Sequence, residues 1–144
     1  MYERPYPTSY PQQDTQIISD VAKAINGEYS AISCYEQLAK KAPNESQRKR
    51  IEEIRRDEIR HYRTFYSIYT NLTGRHPSPQ ITEKCPQDYR KGLDFAFQDE
   101  QNTVDFYNEV SDKATNPFIR RSFERAARDE QNHAVWFLYF LQHG

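Results

Sequence analysis

Two segments, "RRDEIRHYRTF" (residues 55–65) and "ARDEQNHAVWF" (residues 127–137), carry the same pattern, in which Asp-Glu-x-x-His is followed four residues later by Phe. The copies lie 72 residues apart, half the length of this 144-residue chain. The same offset aligns other identical residues: Glu28 with Glu100, Tyr35 with Tyr107, Lys41 with Lys113, Ala42 with Ala114, and Asn44 with Asn116. The chain is therefore predicted to consist of two related halves that together build one structure.

Apolar residues recur every three or four positions in four long segments, which is the pattern of helices with one buried face. The predicted helices cover about residues 15–42, 45–73, 87–114 and 117–142. Strand signals are weak, because β-branched residues never alternate with polar ones for long. The sequence therefore predicts an all-α protein.

The connections between these helices indicate how they pack. Pro43 ends the first helix, Asn44 or Ser46 can cap the second, and Asn116 with Pro117 can begin the fourth. These two turns are short, so they predict two antiparallel hairpins. The Pro-rich stretch between the hairpins, "GRHPSPQITEKCPQ", has roughly 14 residues and can span up to ~45 Å, about the length of the second helix. We expect a four-helix bundle in which this long crossover leaves the second and third helices parallel.

Composition and charge bound the function. Residues 1–14 are rich in Tyr and Pro and are read as an extended or disordered arm, with the bundle in residues 15–144. Lys and Arg total 20 against 21 Asp and Glu, so no net field favours nucleic acid or an anionic membrane. Because no apolar run suits a signal peptide or a membrane span, we expect a soluble cytoplasmic protein. Cys34 and Cys85 form no CxxC pair and are expected as reduced thiols.

Six ionisable residues fall on the apolar seams of the predicted helices: Glu28, Glu58, His61, Glu100, Glu130 and His133. In each hairpin the two glutamates lie about equally far from the turn, so the six side chains meet at one level of the bundle. Four carboxylates in a dry interior would each cost several kcal/mol and would repel one another. Two divalent metal ions would balance them, and the set matches the carboxylate and histidine ligands of di-iron and di-manganese bundles. We predict a dinuclear metal site bridged by Glu58 and Glu130, with Glu28 and Glu100 more peripheral.

Four further residues are candidates for supporting this site. Asp57 and Asp129 each precede a predicted ligand, and two interpretations stay open: an acceptor for the N–H of the opposing histidine, or a surface ion pair with an arginine. Tyr35 and Tyr107 lie seven residues after a predicted ligand, on the same helix face. They can hydrogen-bond a carboxylate or supply an electron, and core filling is an equally good explanation.

The chain resembles the ferritin-like superfamily, and most of all the rubrerythrin group, through "GEYSAISCYEQL", "RRDEIRHYRTF", "QDEQNTVDFYNEV" and "ARDEQNHAVWF". The resemblance covers about residues 15–142. It implies a non-haem di-iron site ligated by the six seam residues, reaction with peroxide or dioxygen, and a homodimer. Since the chain has no rubredoxin-type CxxC…CxxC module, electrons would come from a separate donor such as a rubredoxin.

One departure from typical rubrerythrins leaves the chemistry open. The extra glutamate that they carry three residues after the third-helix ligand is Thr103 in this chain. The near-symmetric ligand set therefore also resembles bacterioferritin ferroxidase centres and di-manganese catalases. Peroxide reduction by iron is our first hypothesis, iron oxidation or manganese-dependent peroxide dismutation the second, and a metal-stabilised coat or adaptor bundle without catalysis the third.

Overall fold

The computed structural model describes residues 10–143 of the chain, with side chains described from residue 15 onward. Its four helices are α1 (Tyr10–Lys41), α2 (Glu45–Thr73), α3 (Tyr89–Lys113) and α4 (Pro117–His143). No strand occurs among the described residues, so the prediction of an all-α bundle is confirmed. None of the helices in this part of the chain combines the length and the apolar character that a membrane span requires.

Helix α1 begins at Tyr10, earlier than the start predicted near residue 15. Residues 10–14, which were expected to be extended or disordered, are therefore helical, and residues 1–9 of the predicted arm lie outside the described part. Pro11 explains the difference, because proline is tolerated in a first turn, where its missing N–H would have had no helical partner. At the other boundary, α3 starts at Tyr89 after Asp88, whose side chain accepts a hydrogen bond from the Lys91 N–H.

The two hairpin turns use the same capping residue, as the repeat predicts. The side chain of Asn44 accepts a hydrogen bond from the Gln47 N–H at 2.9 Å. The Oδ1 of Asn116 accepts from the N–H groups of Phe118 (2.8 Å) and Ile119 (3.1 Å). Each bond satisfies an N–H that the helix itself leaves without an acceptor. Helix α2 ends at Thr73 and is followed by Gly74, which has the left-handed conformation (φ 71°) common after helix ends.

Helices α1 and α2 form one antiparallel hairpin, and α3 and α4 form the other. The Tyr89 hydroxyl at the start of α3 donates to Gln47 Oε1 near the start of α2 at 2.6 Å, so these two helices are parallel, as the crossover length predicted. Gly92 lies directly against Leu38 of α1, and a Cβ there would collide with the leucine side chain. A larger residue at position 92 would therefore force the Leu38 side chain to shift.

The core consists of two apolar clusters on either side of a polar layer. The first cluster includes Val21, Ile25, Phe65, Ile68, Tyr107 and Phe123. The second includes Tyr35, Leu38, Ile51, Leu93, Phe137 and Phe140. The repeated residues Phe65 and Phe137 lie in different clusters, because α2 and α4 run in opposite directions. The six seam residues fall between the clusters on every helix.

The crossover between α2 and α3 runs along α1 and is attached to it at several points. Asn26 Oδ1 accepts from the Gln80 N–H and Ser30 Oγ accepts from the Thr82 N–H, both at 2.9 Å. These contacts hold the crossover against one face of the first hairpin. The fourth helix has no comparable covering segment among the described residues.

A disulfide joins Cys34 of α1 to Cys85 of the crossover, with their Cα atoms 5.2 Å apart. The expectation of two reduced thiols is therefore wrong. The two cysteines are 51 residues apart and match no local spacing motif, so their proximity depends on the path of the crossover, which the sequence pattern did not specify.

Candidate metal centre

The six seam residues meet in the middle of the bundle. Their side chains are at most 5% exposed. Their potential ligand atoms form two groups, each with all atoms within 4.8 Å of one another: Glu28, Glu58, His61 and Glu130, and Glu58, Glu100, Glu130 and His133. Glu58 and Glu130 belong to both groups, which is the arrangement expected of carboxylates that bridge two ions.

The Nδ1 atoms of both histidines point into the cluster. His61 Nδ1 lies 3.3 Å from Glu28 Oε2 and 3.2 Å from Glu58 Oε1. His133 Nδ1 lies 3.1 Å from Glu130 Oε1. Because each histidine follows its glutamate by three residues, one helical turn brings both side chains to the same side of the helix.

The outward-facing Nε2 atoms bind the two aspartates of the opposite hairpin. His61 Nε2–H donates to Asp129 Oδ2 and His133 Nε2–H donates to Asp57 Oδ2, both at 2.8 Å. A proton fixed on Nε2 leaves the Nδ1 lone pair of a neutral imidazole directed at the cluster. The hydrogen bond from His133 lowers the pKa of Asp57, which keeps this acceptor ionised.

Arg60 connects the two aspartates at the surface. Its guanidinium donates to Asp57 Oδ1 and to Asp129 Oδ2, each at 2.9 Å. Both interpretations of the aspartates therefore hold at once, since each accepts from a buried histidine and from an arginine. The connection between hairpins through Arg60 could not be read from the repeat, because the equivalent position in the second half is Asn132.

The two tyrosines also bind across the hairpins. The Tyr35 hydroxyl donates to Glu100 Oε2 at 2.7 Å, and the Tyr107 hydroxyl donates to Glu28 Oε2 at 2.6 Å. Burial, followed by the nearby carboxylates, raises the pKa of both phenols well above the ordinary value, so they stay protonated and can donate. The hydrogen-bonding role is thus visible in the structure, while a role in electron transfer stays a prediction.

The electrostatics of the cluster call for positive charge. Burial raises the pKa of Glu58 and Glu130 well above the usual range, and the neighbouring carboxylates raise it further. Burial disfavours the charged form of His61, but Glu28 and the hydrogen bond to Asp129 outweigh it and raise its pKa to about 12. The carboxylates likewise raise the pKa of His133 to about 11 against the effect of burial. Without bound metal ions, protons on the two histidines therefore supply the positive charge that the carboxylates require.

The residues fit a pair of metal ions. Several buried polar atoms of the cluster have no hydrogen-bond partner among the described residues: Glu28 Oε1, Glu58 Oε1, His61 Nδ1 and Glu100 Oε1. Buried polar atoms rarely remain without a partner, because each costs about 1–3 kcal/mol. Carboxylate and imidazole donors suit iron and manganese, and neither metal is favoured by the donor set alone.

Thr103 and Asp99 lie beside the cluster on α3. The Thr103 hydroxyl donates to the Asp99 carbonyl at 2.8 Å, a bond within its own helix. Burial, and then a hydrogen bond with Glu83 of the crossover, raise the pKa of Asp99 to about 8. Asp99 was not among the predicted site residues, because it lies beside Glu100 in the sequence but off the apolar face of the helix.

Comparison with known proteins agrees with this architecture. The family model described as Rubrerythrin matches residues 21–89 and 91–144. The uncharacterized protein YhjR of Bacillus subtilis (strain 168) is 55% identical over 137 residues, which cover 95% of this chain and 94% of that protein.

Solved structures share the fold. A Desulfovibrio desulfuricans bacterioferritin with a diiron site superposes with a TM-score of 0.81 at 21% identity, over 92% of this chain and 81% of that one. A ferritin-like diiron-carboxylate protein from Bacillus anthracis str. Ames gives a TM-score of 0.80 at 24% identity, covering 90% and 97%. A hypothetical protein from Pyrococcus furiosus gives 0.75 at 19% identity, covering 88% of each chain. With its ferritin-like four-helix bundle and its buried carboxylate and histidine cluster, this chain belongs to the rubrerythrin family.

Proposed function

We propose that this protein binds two iron ions at the six seam residues and uses them to reduce peroxide, with electrons returned by a separate donor protein such as a rubredoxin. The observation that supports the proposal most is the ring of inward-facing oxygen and nitrogen atoms, several without a hydrogen-bond partner. In the family to which the chain belongs, such a ligand set is expected to hold a dinuclear metal centre.

Each group of residues has a distinct part in this centre. Glu58 and Glu130, which belong to both ligand groups, would hold both ions, Glu28 and His61 would complete one site, and Glu100 and His133 would complete the other. Asp57 and Asp129 hold the histidines in the tautomer that exposes Nδ1. Tyr35 and Tyr107 fix the two peripheral carboxylates. The two apolar clusters exclude water above and below the layer.

The chemistry follows from the metal pair. When bound, two Fe(II) ions would supply the two electrons that, together with two protons from solvent, reduce one hydrogen peroxide molecule to two waters. The protein contributes geometry and charge, since four carboxylates stabilise the higher oxidation state. A homodimer is the assembly that we propose from the family resemblance.

The test is reconstitution followed by rapid kinetics. Protein loaded with Fe(II) without oxygen should contain close to two metal ions per chain by elemental analysis, and stopped-flow absorbance should show oxidation by peroxide within seconds. Fewer than about one transition metal per chain after reconstitution would reject the metal centre. Metal binding without peroxide consumption would reject peroxide reduction alone.

A second candidate function is oxidation of Fe(II) as a substrate, favoured by Thr103, whose hydroxyl bonds within its own helix and offers no additional carboxylate. Turnover of many Fe(II) ions per chain with dioxygen, faster than with peroxide, would favour this function. A manganese-loaded protein that releases dioxygen from peroxide without an added reductant would favour catalase-type dismutation instead.

A further inference from the structure

A cleft of about 640 Å³ opens between α1, α3 and the crossover. Its apolar lining includes Ala24, Gly27, Phe106 and Tyr107, and its charged lining residues are Lys23, Glu83 and Asp99. The crossover wall is held in place by the hydrogen bonds that attach it to α1. The cleft is therefore a formed feature of the fold, and its interior combines apolar side chains with charged side chains of both signs.

The inner end of the cleft lies against the candidate metal centre. Tyr107 lines the cleft, and its hydroxyl donates to Glu28 Oε2 at 2.6 Å. Gly27 and Asp99, on the two facing helices, immediately precede Glu28 and Glu100. A molecule in the cleft is thus separated from Glu28 by the Tyr107 side chain.

The size and charge of the cleft restrict what it can hold. Hydrogen peroxide needs only about twice the ~30 Å³ of a water molecule, whereas pockets for small organic molecules measure about 300–1,000 Å³. The Lys23 ammonium offsets the carboxyl groups of Glu83 and Asp99, so the lining carries charges of both signs and favours neither anions nor cations by net charge. A neutral molecule with an apolar body and a polar end fits this combination best.

We propose that the cleft binds neutral organic hydroperoxides and presents them to the metal centre, an inference that rests on the peroxide-reducing function. The reaction is ROOH + 2H⁺ + 2e⁻ → ROH + H₂O, in which the O–O bond breaks and two O–H bonds form. The two electrons come from the two Fe(II) ions of the proposed centre, each of which becomes Fe(III), and the protons come from solvent. A reduced electron-transfer protein returns the electrons.

Gly27→Leu is the variant that fills the cleft. A Cβ at Gly27 would meet no atom within 4 Å, so the leucine side chain enters open space. Replacing a glycine inside a helix also removes a cost of about 1 kcal/mol in helix propensity, so the variant should fold. Thr64→Leu is the matched control, because Thr64 lines a second cleft of about 340 Å³ between α2 and α4 that reaches His61.

Two measurements test the proposal. For iron-loaded protein, we expect Gly27→Leu to lower kcat/KM for cumene hydroperoxide by about tenfold or more, with less than a twofold change for hydrogen peroxide. Thr64→Leu should change neither value. For protein loaded with redox-inert Zn(II), calorimetry should detect binding of the product alcohol, 2-phenyl-2-propanol, to wild type and Thr64→Leu but not to Gly27→Leu.

Contrary outcomes separate the two proposals. If Gly27→Leu changes kcat/KM for both peroxides equally or for neither, the cleft does not bind the organic substrate. The same holds if Thr64→Leu, and not Gly27→Leu, lowers kcat/KM for cumene hydroperoxide alone. Absence of alcohol binding to wild type has the same meaning. If wild type and both variants consume no peroxide of either kind, the proposed function itself fails.

Discussion

The two hairpins are alike inside the bundle and different on its surface. In and around the buried cluster, each supplies two glutamates, one histidine, one partly exposed aspartate and one tyrosine, and the paired hydrogen bonds agree closely, with 2.8 Å for both histidines and 2.7 and 2.6 Å for the tyrosines. On the surface, Arg60 corresponds to Asn132 and Gly27 corresponds to Asp99. Only the first hairpin carries the crossover and its disulfide among the described residues.

This difference reflects what each environment tolerates. A buried charged group has no solvent to replace a lost partner, so a change at one position of the layer affects all the others. Exposed positions mostly tolerate substitution within about 0.5 kcal/mol. The interior can therefore keep its two-fold arrangement, while the surfaces diverge and determine what approaches the centre from each side.

The strongest test of the similarity between the two hairpins inside the bundle is removal of Glu58 or Glu130, the carboxylates proposed to bridge the two ions. Glu58→Ala and Glu130→Ala should each leave less than one metal ion per chain, because each residue belongs to both ligand groups. Glu28→Ala and Glu100→Ala should each lose mainly one ion. Elemental analysis after reconstitution and desalting measures this, and a protein that keeps two ions without Glu58 would contradict the assignment.

Removal of the disulfide tests the difference between the two hairpins at the surface. It closes a loop between residues 51 positions apart, so the Cys34→Ala and Cys85→Ala double variant should lose about 4 kcal/mol of unfolding free energy in the chain-entropy description. Urea denaturation of the variant, and of wild type with and without a reductant, gives the value. An unchanged midpoint in all three would show that the crossover is held by its hydrogen bonds and packing alone.

Metal binding should depend on pH in the same way for both halves. Without metal, His61 and His133 have pKa values of about 12 and about 11, so both imidazoles are protonated near pH 7. Binding must displace these protons and any that Glu58 and Glu130 hold, so affinity rises with pH, by about 1.4 kcal/mol per pH unit for each proton released. Calorimetry in buffers of different ionisation enthalpy counts the protons, and uptake without proton release would contradict the pKa directions.

The tyrosine hydrogen bonds should contribute equally from the two hairpins. Tyr35→Phe and Tyr107→Phe each remove a hydroxyl from a buried carboxylate, so each should cost about 1.5–3 kcal/mol of unfolding free energy. Chemical denaturation of the metal-loaded variants measures the cost. A neutral effect of one substitution beside a large effect of the other would show that the two peripheral carboxylates differ in kind.

Arg60 should have the smallest effect. Its side chain is half exposed, so Arg60→Ala should cost at most about 1 kcal/mol, and the matched Asn132→Ala should cost nothing measurable. The same denaturation experiment at low and high salt checks this, since screening should reduce the Arg60 effect. A loss of several kcal/mol would mean that the arginine holds the two aspartates, and with them the histidines, in position.

The positions of the predicted site residues could be predicted from the sequence because they follow from the local geometry of each helix. A helix places residues three and four apart on one face. The row of apolar positions that includes Glu58 and His61 therefore predicts directly which side chains enter the core. The capping residues Asn44 and Asn116 are local signals of the same kind. The equal distances of Glu28 and Glu58 from their turn then set the level at which they meet.

Only the tertiary structure decided the contacts made by segments without periodicity. The crossover has no repeating pattern, so the sequence did not show that Cys85 meets Cys34 or that Glu83 meets Asp99. The double role of Arg60 likewise depends on the distance between two helices from different hairpins. Helical periodicity fixes which face of a helix is buried, whereas the path of a loop across the bundle depends on packing between distant parts of the chain.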